Sequence, residues 1–373
     1  MKDIVVLAGT SPWSVLSLCK AAMDHGANAY CVCTGLSRPM DYGRSKYVTA
    51  SYNVDLKNLR LFWDEFFQQH QFNEKPILFA VYDGACLLVD EERDYYESRF
   101  DLCLPSSQIV KAFNDKSLAG DVAEANGMTV PKTINVENVS QIDEVCNTFS
   151  FPVIVKPTTA SEHIKFKFKM KVAENANEFR LFVSELLDNQ CHFICQEYIK
   201  GEDKDCKFYI FYRNAKGEVI ECMGEKTLQS EGIMTIGTTV FDENLADLCR
   251  GFIEKIDYVG IGGIEVKYCN GKYYFIEMST RTEGFVAISD MAGVSLANAA
   301  YIDKNGGVYP LNKQKDGVRY ILSLSWFRNR ITHKKYFRVL IESITMAFDK
   351  KQHFINSFFK ETIFENFSQK MKS

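Results

Sequence analysis

GGIEVKYCNGKYYFIEMSTRTE, residues 262–283, is the stretch of sequence that decides the fold. Two apolar runs flank an Asn-Gly pair at 270–271, which is a strong signal for a β-hairpin. Each run carries one carboxylate, Glu265 and Glu277, and Arg281 follows the second. Carboxylates among apolar neighbours need a partner. Two of them beside an arginine therefore suggest a phosphate and a bound magnesium ion, which prefers oxygen ligands.

The register of this hairpin decides whether the two carboxylates can share a metal ion. A strict two-residue turn would place Glu265 opposite Ile276, with the two glutamates on opposite faces of the sheet. A three-residue connection or a β-bulge would place Glu265 opposite Glu277 on one face. The metal interpretation requires this second register, and an edge hairpin with solvated glutamates is the alternative.

The composition is that of a globular protein with an ample core. The chain has 373 residues, of which 46% are hydrophobic and 25% charged. This length predicts two or three domains. The net charge of −4 does not indicate a nucleic-acid partner, but the charge is uneven. Residues 311–373 hold thirteen Lys or Arg against five Asp or Glu, a net charge of +8, which leaves −12 for the preceding 310 residues.

The sequence predicts a cytoplasmic protein. The first ten residues, MKDIVVLAGT, run directly into a strand pattern and do not resemble a signal peptide. No apolar run approaches the roughly 18 residues of a membrane span. The twelve cysteines form no CxxC pair and no Cys/His cluster with zinc spacing. We therefore expect reduced thiols, most of them small core residues.

The N-terminal part has the pattern of a parallel α/β unit. A buried strand at 4–8 is followed by a turn, a helix at 15–23 and a second strand at 29–32. A further helix at 59–69 precedes a strand at 77–81. Asp83 follows this strand at its carboxyl end, where open α/β sheets bind ligands. An ordinary loop residue is the alternative for Asp83.

The middle of the chain combines helices with strands that end in polar residues. One helix is predicted from Pro105 to Gly127, and it contains Lys116. The strand at 151–157 ends with Lys156 after an apolar run. A strand at 193–199 follows the helix at 178–187. Further strands are predicted at 206–212 and 219–223, and a helix at 245–256 leads into the hairpin.

In these features the chain resembles the ATP-grasp superfamily of carboxylate–amine ligases. The resemblance covers about residues 1–305 and rests on the order of three segments, FPVIVKP, QEYIKGED and GGIEVKY…YYFIEMSTR. Within the superfamily the chain looks closest to the branch of D-aspartate ligases and carbamoyl-phosphate-synthase-like single-chain ligases. The resemblance implies α/β and α+β architecture, with a Rossmann-like N-terminal domain, a two-lobed ATP-grasp fold and a helical C-terminal extension.

The resemblance also implies domain boundaries. The Rossmann-like domain is expected at 1–105 and the ATP-grasp domain at 106–310. Within the latter, the two lobes are expected at about 110–197 and 198–305. Residues 311–373 are expected to form a basic, mostly helical extension.

The resemblance assigns site roles to individual residues. Lys116 and Lys156 match the two lysines that contact the ATP phosphates. Arg281 matches the arginine that contacts the transferred phosphate and the acyl-phosphate. Asp203 takes the place of the acidic residue that binds the ribose hydroxyls, with Glu202 as the fallback. At the hinge between the lobes, the residues that match the adenine-binding segment are Gln196, Glu197, Tyr198 and Ile199. The residues that match the magnesium ligands are Glu265, Glu277 and Ser279.

Two departures from the family pattern bear on these roles. The metal strand usually ends Glu-x-Asn, but here Ser279 stands in place of the asparagine. A hydroxyl can reach magnesium, although a carboxamide oxygen is the better donor. The phosphate-covering loop is usually glycine-rich, whereas residues 157–163 contain no glycine. Backbone N–H groups of this loop could still bind phosphate.

The expected function is joining of a small-molecule carboxylate to an amine through an acyl-phosphate, with ATP and Mg²⁺ as cofactors. No nucleic acid is expected as a partner, and a homodimer is one option. Two other classes stay open. One is a degenerate ATP-grasp protein that binds nucleotide without turnover. The other is a membrane-surface protein that rests on the inner face of the membrane through the basic, aromatic segment 311–373.

Overall fold

The computed structural model describes residues 1–9, 12–35, 41–159, 168, 170–230 and 233–321. The α-helices are α1 (Pro12–Asp24), α2 (Leu59–Gln69), α3 (Asp83–Glu91), α4 (Arg93–Arg99), α5 (Ser107–Asn114), α6 (Lys116–Ala125), α7 (Ser140–Thr148), α8 (Ala176–Asp188), α9 (Glu243–Lys255), α10 (Ala287–Ala292) and α11 (Leu296–Lys304). The strands are β1 (Ile4–Ala8), β2 (Ala29–Thr34), β3 (Ala50–Val54), β4 (Ile77–Ala80), β5 (Asp101–Leu102), β6 (Thr133–Val136), β7 (Val153–Pro157), β8 (Lys171–Ala173), β9 (Phe193–Glu197), β10 (Cys206–Arg213), β11 (Val219–Ser230), β12 (Ile233–Thr239), β13 (Gly260–Cys269), β14 (Lys272–Ser279) and β15 (Arg319–Ile321).

The N-terminal strands form the parallel α/β sheet that the sequence predicts. Its order is β3-β2-β1-β4-β5, and each neighbouring pair is parallel. Every residue of β1 and β2 is buried. Separate apolar clusters cover the two faces, one including α1 and the other including α2 and α3. Coverage on both faces explains why these strands are continuous apolar runs and not alternating ones.

A four-stranded antiparallel sheet follows, with the order β6-β9-β7-β8. Helices α7 and α8 pack on it and share its apolar core. The single helix predicted from Pro105 to Gly127 is wrong, because the chain forms α5 and α6 instead. Asp115 separates them in an extended conformation, and its side chain accepts a hydrogen bond from the Ser117 backbone N–H at 2.8 Å. Asp115 is thus the N-cap of a new helix.

The largest sheet is antiparallel, with the order β14-β13-β10-β11-β12-β15. Residues Phe208–Tyr212 of β10 are all buried, since both faces of the sheet are covered. One face packs against α5, α6 and α9, and the other against α10, α11 and the N-terminal core. The candidate site occupies the end of the second face.

The start of the predicted C-terminal extension is not helical. Arg319–Ile321 forms β15, which pairs with β12 at the edge of the large sheet. The expectation of a mostly helical segment at 311–373 stays a prediction, because 322–373 lie outside the described residues. Among the residues that the structure describes, no helix is long and apolar enough to span a membrane.

Candidate active site

The hairpin of β13 and β14 has the register that a shared metal site requires. Its turn is a two-residue turn at Asn270 and Gly271, both with positive φ (50° and 79°). A β-bulge then leaves Ile276 between successive pairs, so Glu265 lies opposite Glu277. Of the two routes to this register, the three-residue connection is wrong and the bulge is confirmed.

The apolar core explains the bulge. Phe275 and Met278 both pack in the cluster that contains Ile264 and Val266. Strict alternation would send two residues three positions apart to opposite faces. The extra residue at Ile276 lets both reach the core, and it also brings Glu277 to the face of Glu265.

Both carboxylates lie in a strongly charged environment. The Glu265 side chain is only 16% exposed and forms an ion pair with Lys226 of β11. Burial and the neighbouring Glu277 raise the pKa of Glu265, while Lys226 opposes this shift. Glu277 is exposed. Partial desolvation disfavours its charge, but the positive charges of Lys226 and the site's other cations are stronger and lower the pKa of Glu277.

The donor set suits a magnesium ion that is completed by other ligands. Ser279 lies two residues after Glu277 on the same strand, so it shares the face of the two carboxylates. Within the described part of the chain, no group of three or more His, Cys, Asp or Glu side chains converges as a metal site. Magnesium is usually held by one or two carboxylates together with substrate phosphates and water. Two carboxylates and a hydroxyl fit that mode.

Lys156 lies on β7 of the four-stranded sheet, near enough to Glu277 for their charges to interact. It is 9% exposed, and its ammonium donates a hydrogen bond to Gln196 Oε1 at 2.8 Å. Gln196 in turn donates to Thr133 Oγ1 at 3.1 Å, so both side chains are fixed. Burial, reinforced by the positive charge of Lys116, lowers the pKa of Lys156 to about 8, although Glu277 opposes this shift.

Lys116 is the first residue of α6. Its backbone N–H donates to the carbonyl oxygen of Thr158 at 2.9 Å, which joins the start of the helix to the end of β7. Its charge acts on both Lys156 and Glu277. The structure therefore brings the two predicted lysines to one region. The predicted phosphate-covering loop lies largely outside the described residues, which end at Thr159 and continue at 168.

The predicted hinge residues lie at the end of β9. The Glu197 backbone N–H donates to the carbonyl of Lys132 at 2.8 Å, and its carboxylate accepts from the Lys132 N–H at 3.3 Å. Tyr198 is 37% exposed and Ile199 is partly buried. Asp203 accepts hydrogen bonds from the backbone N–H of Gln229 at 3.0 Å and from its side-chain amide at 3.4 Å. These contacts hold Asp203 near β11, so a ribose would share its carboxylate with Gln229.

Arg281 joins the large sheet to the N-terminal domain. Its Nε donates to Asp83 at 2.6 Å, and its Nη1 lies 3.5 Å from Glu283. Although burial opposes the charge, Asp83 and Glu283 together raise the pKa of Arg281. The sequence placed Asp83 at the carboxyl end of a strand, where such sheets bind ligands, with an ordinary loop residue as the alternative. The structure makes it the first residue of α3 and a partner of the predicted catalytic arginine.

Two charged residues of the site were missed from the sequence. Lys226 was missed because the predicted strand ended at Met223, whereas β11 continues to Ser230. Glu283 follows Arg281 and lies against β13. A Cβ atom at Gly263 would come within 2.8 Å of Glu283 Cγ, so the glycine makes this approach possible. Thr227, a β-branched residue that follows Lys226, was the available signal for a longer strand.

A cavity of about 500 Å³ lies elsewhere and is lined by Phe67, His70, Phe72, Lys75 and Arg99. It lies near the amino end of β4, because Lys75 precedes that strand. Parallel α/β sheets bind ligands at the opposite, carboxyl end. Asp83 and Arg281 lie at that carboxyl end, which places the candidate active site there.

Comparison with known proteins finds relatives in sequence and in fold. Residues 121–289 match the family model for the ATP-grasp domain. The predicted fold class, which includes an ATP-grasp fold, is confirmed. The chain is similar to D-aspartate ligase from Enterococcus faecium (strain Aus0004), with 23% identity over 249 residues. That match covers 62% of this chain and 59% of the relative, so it spans about three fifths of the relative's length.

Solved structures share the fold at low sequence identity. The ADP complex of N5-carboxyaminoimidazole ribonucleotide synthetase superposes with a TM-score of 0.68 and 14% identity, over 85% of this chain and 80% of that one. The biotin carboxylase domain dimer of Hydrogenobacter thermophilus 2-oxoglutarate carboxylase, in complex with MgADP, ADP and bicarbonate, gives a TM-score of 0.64 and 13% identity, over 85% and 73%.

Proposed function

We propose that this protein is an ATP- and magnesium-dependent ligase that joins a carboxylate to an amine through an acyl-phosphate. The observation that carries the proposal is the register of Glu265 and Glu277, which face one side of the sheet close to Lys156 and Arg281. Fixed carboxylates beside fixed cations suit a magnesium nucleotide, because the carboxylates bind the metal ion and the cations bind the phosphates.

The chemistry requires activation of a poor electrophile. A carboxylate resists attack by an amine until one of its oxygens is phosphorylated, after which phosphate leaves as the amine attacks. Lys116 and Lys156 would hold the phosphates as compact point charges. Arg281 would contact the phosphoryl group in transfer, where its planar guanidinium can donate two parallel hydrogen bonds. When bound, magnesium neutralises charge on the phosphate oxygens.

The contacts of these residues support their roles. Gln196 fixes the Lys156 ammonium, and Asp83 and Glu283 fix the Arg281 guanidinium. Preorganised charges of this kind need little rearrangement when the transition state forms. At the hinge, Tyr198 and Ile199 offer apolar surface for an adenine ring, and Asp203 offers a carboxylate for the ribose hydroxyls.

The carboxylate and the amine are small molecules in this proposal. The similarity to D-aspartate ligase makes D-aspartate the first carboxylate to test. Asp83 lies beside Arg281 at the carboxyl end of β4, so the N-terminal sheet would border the place where the second substrate attacks.

Trapping of the activated carboxylate tests the proposal. Purified protein would be incubated with ATP, Mg²⁺, hydroxylamine and single amino acids, including both isomers of aspartate. Hydroxylamine converts an acyl-phosphate into a hydroxamate, which is detected by mass spectrometry. Hydroxamate and ADP should appear together with one or a few amino acids, and neither should appear with Glu277→Gln.

Nucleotide binding without turnover is the second candidate, and the serine at 279 favours it, because a hydroxyl is a weaker metal donor than the usual carboxamide. In that case, ATP would bind and protect the protein from unfolding, but no carboxylate would stimulate ADP release. Ser279→Asn is informative here, since it should raise turnover in a working ligase and leave a degenerate protein inactive.

We further propose a cytoplasmic protein, with a homodimer as the oligomeric form to test by light scattering. Peripheral membrane contact through 311–373 follows from the basic charge and the aromatic residues of that segment. Co-sedimentation with anionic liposomes at low salt, absent with neutral liposomes, would support this contact.

A further inference from the structure

Lys226 is a buried cation that the proposed reaction does not otherwise use. It lies on β11, and β10 separates that strand from β13. Its ammonium nevertheless contacts the carboxylate of Glu265, and the Lys226 side chain is only 3% exposed. Two strand spacings amount to about 10 Å, so both side chains must extend towards each other across β10. The contact is therefore a specific arrangement of the sheet.

Irregular backbone accompanies both partners of this ion pair. The pairing of β11 with β12 shifts register directly after Lys226, and the pairing of β13 with β14 shifts directly after Glu265. Bulges near active sites change the direction in which a side chain points. Here they occur at the two residues that meet.

A second lysine–glutamate pair in the same sheet shows the contrast. Lys207 of β10 pairs with Glu225 of β11 at 3.0 Å, on the opposite face of the sheet. Its side chains are 20% and 26% exposed, so water shares in their solvation. Lys226 is almost fully enclosed, and breaking a buried pair leaves an uncompensated charge.

The donor set beside Lys226 limits how many metal ions can bind. Glu265, Glu277 and Ser279 supply two carboxylates and one hydroxyl. An ammonium already covers one side of the Glu265 carboxylate. A second divalent ion bridging both carboxylates would have to approach that ammonium, and two like charges so close together repel strongly in a poorly solvated site.

We propose that Lys226 takes the place of a second metal ion, so that this site binds its nucleotide with a single divalent cation. The inference rests on the proposed function, since it concerns the metal that accompanies ATP. Lys226 acts on Glu265 and is a positioning residue: it holds the carboxylate in place and supplies positive charge where another cation would otherwise bind.

Counting bound Mn²⁺ tests the inference without measuring turnover. Wild-type protein with a non-hydrolysable ATP analogue would be titrated with Mn²⁺, and free Mn²⁺ would be read by electron paramagnetic resonance. The expected result is about one Mn²⁺ ion per chain for the wild type and about two for Lys226→Met. Lys207→Met removes the more exposed lysine, which lies in the same sheet, and should leave the count unchanged.

Thermal unfolding supplies a second measurement. Without nucleotide, Mg²⁺ should raise the melting temperature of Lys226→Met more than that of the wild type, because the variant has two carboxylates without their lysine. Lys226→Gln keeps a polar group at this position and serves as the second variant if Lys226→Met does not fold. Mg²⁺ should likewise raise its melting temperature more than that of the wild type.

The outcomes separate this inference from the proposed function. Two Mn²⁺ ions on the wild-type chain would overturn the inference and leave the proposed function intact. An unchanged count and affinity in both Lys226 variants would also overturn it. No Mn²⁺ binding by the wild type with nucleotide would overturn the proposed function, and the inference with it.

Discussion

The four-stranded and the six-stranded sheets contribute opposite charges to the candidate site. The four-stranded sheet presents Lys156, a buried cation whose hydrogen-bond acceptor, Gln196, is neutral. The six-stranded sheet presents Glu265 and Glu277, with Lys226 paired to the first. Among the described residues, the hydrogen-bond acceptor of the first sheet's lysine is thus neutral, while the second sheet has two carboxylates for which it supplies one buried lysine.

This difference in charge indicates which kind of ligand the candidate site can bind. A magnesium nucleotide offers phosphate oxygens to the four-stranded sheet and a divalent cation to the six-stranded sheet. The four-stranded sheet can accept negative charge and the six-stranded sheet can accept positive charge, and a single ligand would supply both. Changes in the two sheets should therefore have different signatures, one in metal dependence and the other in pH dependence.

The largest expected effect comes from the six-stranded sheet. Glu277→Gln keeps the shape of the side chain but removes the charge that binds the metal ion. We expect magnesium-dependent ADP release to fall by about 100-fold or more, the scale seen when one electrostatic group of an active site is lost. The melting temperature in the absence of ligands should change little, because Glu277 is exposed.

Glu225→Gln is the matched control for this change. Glu225 belongs to the same sheet, but it lies on the opposite face and pairs with Lys207 near the surface. Its loss should cost at most about 1 kcal/mol of stability and leave ADP release unchanged. Equal loss of turnover in both variants would contradict the assignment of the metal site to one face.

The next effect concerns the four-stranded sheet. Burial lowers the pKa of Lys156 to about 8, whereas bound phosphates favour its charged form. Since the lysine of the free protein loses its proton as the pH rises through 8, the affinity for ATP should fall above that pH. The limit is about tenfold per pH unit. Calorimetric titrations with ATP between pH 7 and pH 9.5 would measure this.

Lys156→Arg sharpens this prediction, because a guanidinium stays charged over that range. The variant should bind ATP more weakly at pH 7 but with little further loss at higher pH. If the wild type and Lys156→Arg lose affinity with the same slope, another group titrates and the role of Lys156 is wrong.

The smallest effect is expected far from the site. Gly271 has φ of 79° in the turn of the hairpin, at the end opposite to Glu277. Gly271→Ala should lower the free energy of unfolding by about 1 kcal/mol, because a side chain disfavours this conformation. ADP release should not change. A loss of turnover approaching that of Glu277→Gln would mean that the whole hairpin, and not one of its ends, forms the site.

Gly120→Ala should change the free energy of unfolding in the opposite direction to Gly271→Ala. Gly120 lies within α6, where an added Cβ atom would meet nothing within 4 Å. Alanine is the better helix former, so this variant should be more stable by about 0.5–1 kcal/mol. Urea unfolding of both variants measures the two shifts.

The parts of the fold that were predicted from the sequence carry local signals. The Asn-Gly turn, the apolar strand that ends at Lys156 and the first α/β unit depend on residues close together in the chain. The bulge at Ile276 was one of two routes left open, because it depends on Phe275 and Met278 both reaching the core.

The parts that were missed depend on contacts distant in sequence. Asp83 and Arg281 are 198 positions apart, and no periodic pattern links them. Lys226 meets Glu265 across an intervening strand, so its role depends on the strand order of the sheet. The strand at Arg319–Ile321 is three residues long and forms only because the edge of β12 is available.

Transfer of oxygen from the carboxylate to phosphate tests the central claim most directly. The carboxylate identified by trapping would be labelled with oxygen-18 and incubated with ATP, Mg²⁺ and the amine, and the released phosphate would be analysed by mass spectrometry. An acyl-phosphate requires that one carboxylate oxygen leave with the phosphate, so each turnover should yield phosphate with one labelled oxygen. Phosphate without label, formed while the amide product accumulates, would contradict the account.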